Sequence, residues 1–210
     1  MQAESVTVNM ISADTLIERA KKGDEVAFNQ LVNLWYKRIY NYVLKYSAND
    51  DLTADITQKT FIAVYKNLKK LKDAGSFKPW VYRIATNYCH EEARKLARNK
   101  LVSMSPATSD EEENSAPIGG EAKDRMFNPE RSFQQVELEK ILFGCLQQLP
   151  EDQRSVILMK EYEGFKFHEI ADALNTSENT VKTRLYRGLK TLKQRLEQQN
   201  INKETIHYEL

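Results

Sequence analysis

Lys182, Thr183, Arg184, Tyr186, Arg187 and Lys190 crowd one short stretch of the chain, while Val181, Leu185, Leu189, Leu192 and Leu196 run through it at steps of four, four, three and four. At about 100° per residue on a helix, that aliphatic stripe faces a core. The same projection sends Asn179, Thr183, Tyr186, Arg187 and Lys190 to the opposite side, with Lys182 and Arg184 at the flanks. Guanidinium forks read guanine bidentately and ammonium groups hold phosphate, so this face suits the major groove of duplex DNA. A preceding helix anchored by Ile170, Ala171 and Leu174 leads in through three polar residues. Of these, Asn175 tolerates left-handed geometry and Ser177 can cap the second helix. A solvated basic face on an ordinary bundle helix would have a similar composition. The short turn between two helices is the feature that points to a helix-turn-helix.

A second basic constellation lies earlier in the chain. Arg83, Asn87, His90, Arg94 and Arg98 recur at four, three, four and four, beside a buried arc of Val81, Ile84, Ala85 and Tyr88. Lys69, Lys70, Lys72 and Lys78 lead into it, and Trp80 and Tyr82 are interleaved with the cations. Cations for phosphates, flat rings for unstacked bases and an amide are what single-stranded DNA requires. Taken alone, the two rings fit an ordinary core better than a stacking platform. A third stripe, Asp55, Gln58, Ile62 and Tyr65, points away from the core of its helix and brings Ile and Tyr together at the surface, as a partner protein would need.

Other chemistries find no support. No carboxylate pair, nucleophile with its base, glycine-rich phosphate loop or metal-ligand cluster stands out, so no catalytic residue, metal or cofactor is expected. Cys89 and Cys145 lack CxxC spacing and read as buried thiols. Cys89 and His90, as helix neighbours, diverge by about 100° and do not easily share an ion. His168 and His207 have no matching ligand set. The start of the chain has no apolar run suited to a signal peptide or membrane span, so a reduced, cytoplasmic protein is the expectation.

The elements that must carry these groups are helical. With 7 Gly and 5 Pro among 210 residues and apolar positions mostly at helical spacing, the fold class is all-α, with two small domains. The net charge of +1 conceals a polar division. Residues 66–100 hold ten basic and three acidic side chains, residues 177–197 six and two, and residues 103–130 two and seven. Two basic zones around an acidic segment suggest a polyanion touched at two places. Gly23 should end a first helix, and Asp24 should cap a second whose Phe28, Leu31, Val32, Trp35, Ile39 and Val43 share a face. A third helix over residues 52–71 turns Thr57, Phe61, Val64, Leu68 and Leu71 inward, and a fourth covers residues 78–98 with Pro79 in its first turn. Domain one is placed at residues 10–100, a flexible acidic linker at 101–133, domain two at 134–199 and a tail at 200–210.

"DITQKTFIAVYKNL", "FKPWVYRIATNYCHEEARK" and "LPEDQRSVILMKEYEGFKFHEIADALNTSENTVKTRLYRGLKTLK", in that order around the acidic segment, resemble an extracytoplasmic-function (ECF) sigma factor of bacterial RNA polymerase. The resemblance runs from about Leu16 to Leu196. It implies promoter recognition in transcription initiation: domain one resembles sigma region 2 and domain two sigma region 4. The helix with Asp55, Gln58, Phe61 and Ile62 would dock on core RNA polymerase. The loop at residues 71–76 and the helix with Trp80, Arg83 and Asn87 would melt and hold the -10 strand, with Lys72, Lys78, Tyr82 and Arg94 around them. Lys182, Thr183, Arg184, Tyr186 and Arg187 match the -35 contact positions, and Lys190 extends that face. The implied partners are core polymerase, promoter DNA and, as is common in the family, an anti-sigma factor; no membrane insertion is implied. Ala54 stands where the family usually carries an acid, and "LKDAGSF" differs from the common Arg-Gly-rich loop.

Two rival readings make different demands. A conventional helix-turn-helix regulator with an N-terminal helical sensor domain would bind duplex without polymerase, usually as a symmetric dimer, and no dimer stripe is visible. A helical adaptor that touches no DNA leaves both basic zones without a role.

Overall fold

The computed structural model describes residues 12–103, 133–199 and 201. The acidic linker falls almost wholly outside the described residues, as does the tail apart from Ile201. Among the described residues there are eight α-helices and no strands.

Local chemistry starts and stops the first four helices. Ser12 Oγ accepts the Thr15 N–H at 3.3 Å to open α1 (Ala13–Lys21), and Gly23 makes the next corner at φ +94°. Asp24 caps α2 (Glu25–Ser47) by accepting the Ala27 N–H, and it also receives Arg19 at 2.7 Å. These two bonds, the backbone one first, hold its carboxyl below the ordinary range. Asn49 Oδ1 accepts the Leu52 N–H and starts α3 (Asp50–Asn67) two residues earlier than the apolar pattern suggests. The expected single helix over 52–71 instead ends at Asn67 and tightens into a 3-10 turn over Leu68–Lys70. A further 3-10 turn, Ala74–Ser76, feeds α4 (Phe77–Ser103), which continues beyond residue 98.

These helices close on Ile17, Leu31, Ile39, Val43, Ile56, Val64, Val81 and Ala85, all buried. Removing the Ile, Leu and Val side chains of this set from water stabilises by roughly 1.5–3 kcal/mol each before entropy is counted. Three of the buried hydroxyls are matched: Thr60 donates to the Ile56 carbonyl at 2.8 Å, and Tyr42 and Thr86 pair at 2.8 Å.

Domain two runs α5 (Phe133–Gln147), α6 (Glu151–Ile157), a π-helical turn over Leu158–Tyr162, α7 (Phe167–Leu174) and α8 (Glu178–Gln198). Arg154, buried on α6, fastens the α5–α6 corner by donating to the Gln147 carbonyl at 2.6 Å and the Leu149 carbonyl at 3.1 Å. Gly188 lets α8 lie directly on α6. A Cβ there would stand 2.8 Å from Ile157 Cδ1 and 3.1 Å from Gln153 Cβ. The two domains pack together, α4 against α7 and α2 against α5.

Candidate nucleic-acid interface

The α7–α8 pair is built as its sequence implies. Asn175 ends α7 in the left-handed region at φ 49°, and Ser177 Oγ accepts the Thr180 N–H at 3.1 Å to start α8. Val181, Leu185, Gly188 and Leu192 are buried, while Leu189 and Leu196 are half-buried. Asn179, Thr183, Tyr186, Arg187 and Lys190 are exposed, Tyr186 by 67%. Lys182 and Arg184 sit at the flanks, half-buried. Lys182 Nζ rests 5.5 Å from the Phe167 ring centre, and Arg184 pairs with Asp152 of α6 at 2.7 Å. Periodicity did not identify Asp152 or Gly188. Glycine has no apolar side chain to count, and Asp152 reaches Arg184 across another helix.

The -10 candidates divide into two groups. Lys72, Asn87 and Arg94 are exposed, and Trp80 is half-buried with its ring 6.0 Å from Phe77. Lys78, Tyr82 and Arg83 instead meet domain two. Lys78 Nζ lies 4.0 Å from the centre of the Phe165 ring. Tyr82 is only 1% exposed, edge-on between Tyr42 at 5.0 Å and Phe165 at 4.9 Å, and its hydroxyl donates to Glu163. Burial first, then the Glu163 charge, pushes that hydroxyl far above its ordinary range, so it remains a donor. Arg83 Nε donates to the Ala173 carbonyl at 3.2 Å and Nη2 to the Asp172 carbonyl, at the C-terminal end of α7.

The rest of this seam is polar at its edges. Gln147 Nε2 donates to the Tyr46 carbonyl at 2.7 Å and the Lys45 carbonyl at 3.2 Å. Arg154 Nη1 reaches the Tyr46 carbonyl at 3.2 Å, and His90 Nε2 pairs with Ser155 Oγ at 3.1 Å.

Elsewhere on domain one, Asp55, Gln58, Ile62 and Tyr65 are all exposed on α3, with Lys59 paired to Asp55 at 2.5 Å. Phe61, placed in the polymerase-facing set by resemblance, is only 8% exposed and stacks at 5.9 Å under Tyr36 of α2. Phe28 meets Tyr65 edge-on at 5.0 Å. The apolar strip therefore spans two helices, and the α2 half carries no signal in the sequence of α3. Both cysteines are free and buried, and burial raises the Cys89 thiol. Among the described residues no three His, Cys, Asp or Glu side chains gather as metal ligands.

Comparison with known proteins gives this arrangement a family. Residues 31–99 match the model of Sigma-70 region 2, and residues 140–192 match that of Sigma-70, region 4. The ECF RNA polymerase sigma-E factors of Escherichia coli K12 and Salmonella typhimurium LT2 are each 34% identical over 184 residues, spanning 85% of this chain and 91% of theirs. That of Haemophilus influenzae is 28% identical over 192 residues, covering 89% and 96%. Among solved structures, CnrH in complex with the cytosolic domain of CnrY shares the fold at TM-score 0.62 and 21% identity, covering 89% of this chain and 98% of that one. The sigma factor RpoE in complex with the anti-sigma factor NepR from Bartonella quintana superposes at TM-score 0.59 and 19% identity, covering 81% and 96%. With both sigma regions present in order and a relative matched over nearly its whole length, the chain belongs to the extracytoplasmic-function sigma factors of RNA polymerase.

Proposed function

We propose that this initiation factor, which directs core RNA polymerase to promoters, divides the task between residues 10–100 and residues 134–199. In domain two, Arg187 and Arg184 read -35 bases, with Thr183 and Tyr186 beside them, and Lys182 and Lys190 hold the flanking phosphates. In domain one, Trp80, Tyr82 and Asn87 receive unstacked -10 bases, while Lys72, Lys78, Arg83 and Arg94 neutralise the strand. Asp55, Gln58 and Ile62 meet polymerase, with Phe61 supporting that face from below. The single observation that carries most of this reading is the outward face of α8, which leaves Asn179, Thr183, Tyr186, Arg187 and Lys190 in solvent while Val181, Leu185, Gly188 and Leu192 are buried.

The chain performs no chemistry of its own, and the polymerase it recruits makes every bond. It works in the cytoplasm, where its template lies; among the described residues no helix is long and apolar enough to cross a membrane. An anti-sigma factor is its regulatory partner, by analogy with the complexes of CnrH and of RpoE. Phosphate neutralisation dominates affinity, so binding falls steeply with salt. Single-round transcription with core polymerase on a promoter library tests the proposal. Defined start sites that vanish when the factor is omitted are expected, and no promoter-dependent product would refute it. Tight duplex binding by the chain alone, as a dimer, would favour a conventional helix-turn-helix regulator.

A further inference from the structure

Among the described residues, Arg184 is the one cation of the α8 DNA set that an acid holds, with its Nη2 2.7 Å from Asp152 Oδ2. The contact follows from how closely α8 lies on α6. Gly188 packs against Gln153 and Ile157, which brings Asp152, the neighbour of Gln153, up to Arg184, one turn before Gly188. The Asp152 side chain is 52% exposed, and so exposed an ion pair adds little to stability. An acid in the same cleft as Thr183, Arg184 and Arg187 also repels the phosphates of DNA. Stability and raw affinity therefore do not account for an acid at this place.

We propose that Asp152 is a positioning residue for -35 specificity, which keeps the Arg184 guanidinium on base edges and off the neighbouring phosphates. The inference rests on the reading of Arg184 as a base-contacting residue. An unrestrained arginine swings on a long stem to the nearest phosphate, and a phosphate contact carries no sequence information. A guanidinium fixed at Nη2 loses that freedom, while its other N–H groups can still meet guanine O6 and N7. Arg184 shares its cleft with Asn179, Thr183 and Arg187, so the restrained fork stays among the groups that face the groove. Preorganisation of this kind lowers the ordering cost of the correct contact and denies the wrong base an easy substitute.

The test uses polymerase holoenzyme carrying the full chain. Its DNA probes are duplexes of a promoter mapped in the transcription assay, with each -35 position changed in turn. Discrimination is the ratio of affinities for the original and the changed element, so a uniform gain or loss cancels. Asp152→Ala, Arg184→Ala and the two together are compared with Glu151→Ala. Glu151 stands in the same first turn of α6, and its loss changes the charge equally without removing the partner of Arg184. Asp152→Asn keeps the shape without the charge and replaces the alanine variant if circular dichroism shows that one unfolded. Asp152→Glu restores the acid.

Arg184→Ala should relax preference at one -35 position. Asp152→Ala should lower discrimination at that same position about fivefold, the low end of what one bidentate base contact confers, and Asp152→Glu should restore part of it. Glu151→Ala should leave discrimination intact, and Asp152→Ala should add nothing once Arg184 is gone. Discrimination as intact in Asp152→Ala as in Glu151→Ala overturns the proposal and makes Asp152 a plain surface charge. Relaxation by Asp152→Ala that persists without Arg184 also overturns it, and makes the carboxylate a reader in its own right, accepting from cytosine N4. If Arg184→Ala relaxes no position, the base-reading assignment of Arg184 is at fault and the positioning role falls with it.

Discussion

Arg187 and Lys190 share the outward face of α8, yet they should fail differently when removed. Arg187 borders the cleft walled by Pro150, Asp152 and Gln153, together with Asn179 and Thr183, whereas Lys190 lies a turn further along. Arg187→Ala should cost roughly 1–3 kcal/mol of promoter binding and relax preference at one or two -35 bases. Lys190→Ala should weaken all promoters about equally and reduce the salt slope by about one. Binding of polymerase holoenzyme to a panel of single-base -35 variants at two salt concentrations separates these outcomes. If Arg187→Ala weakens every variant in proportion, its base-reading role is wrong. Both positions were legible in the sequence, because the four-four-three-four stripe fixes what faces away from it. The restraint on Arg184 was not legible, since Asp152 comes from another helix.

At the scale of the element, α3 has an inward and an outward face. Thr57, Phe61 and Val64 are buried, while Asp55, Gln58, Ile62 and Tyr65 remain in solvent. Asp55→Ala with Gln58→Ala should therefore lower affinity for core polymerase while leaving helicity intact, because neither side chain helps to form the bundle core. Lys59 would keep Glu92, 3.5 Å away, as a partner. Co-purification with core polymerase and far-ultraviolet circular dichroism read the two quantities, and undiminished co-purification would make the stripe a plain solvated surface. The inward set of α3 was legible from its spacing. The break at Asn67 was not: the buried Leu68 and Leu71 continue the helical pattern through a 3-10 turn, and apolar spacing alone does not distinguish the two windings over a few residues.

At the scale of the molecule, the seam between the domains should respond to acid through His90. Burial is the main cause that lowers its pKa from the ordinary 6.5; Glu151 and Asp152 oppose the shift, and Arg94 and Arg154 add to it. With the two domains packed together, the buried His90 ring favours its neutral form, with Ser155 as partner. An open chain, with the ring in water, takes up a proton more readily, so protonation favours opening. The packing of the two domains is then at full strength above pH 6.5, weakens as pH falls below that value and levels off once His90 is charged in both the packed and the separated chain. Energy transfer between fluorophores at Lys66→Cys and Gln198→Cys, one in each domain, should fall over this window, and His90→Gln should flatten the response. An unchanged slope in His90→Gln would assign the response to other groups.

What the sequence determined by itself was local. Asp24 and Ser177 announce helix starts because a short polar side chain satisfies a backbone N–H only a few residues away. Asn175 marks the turn because few side chains accept its left-handed backbone, and the stripe of α8 sets its outward face by helical geometry alone. The tertiary structure decided which of the outward groups are free. Arg83 finds backbone carbonyls 89 and 90 residues away, and such acceptors are present at every position, so no residue type advertises them. Tyr82 by itself suited a core better than a base, yet its burial depends on Phe165 and Glu163 arriving from the other domain. Periodicity decides how a helix presents its side chains; only packing across the chain decides what meets them.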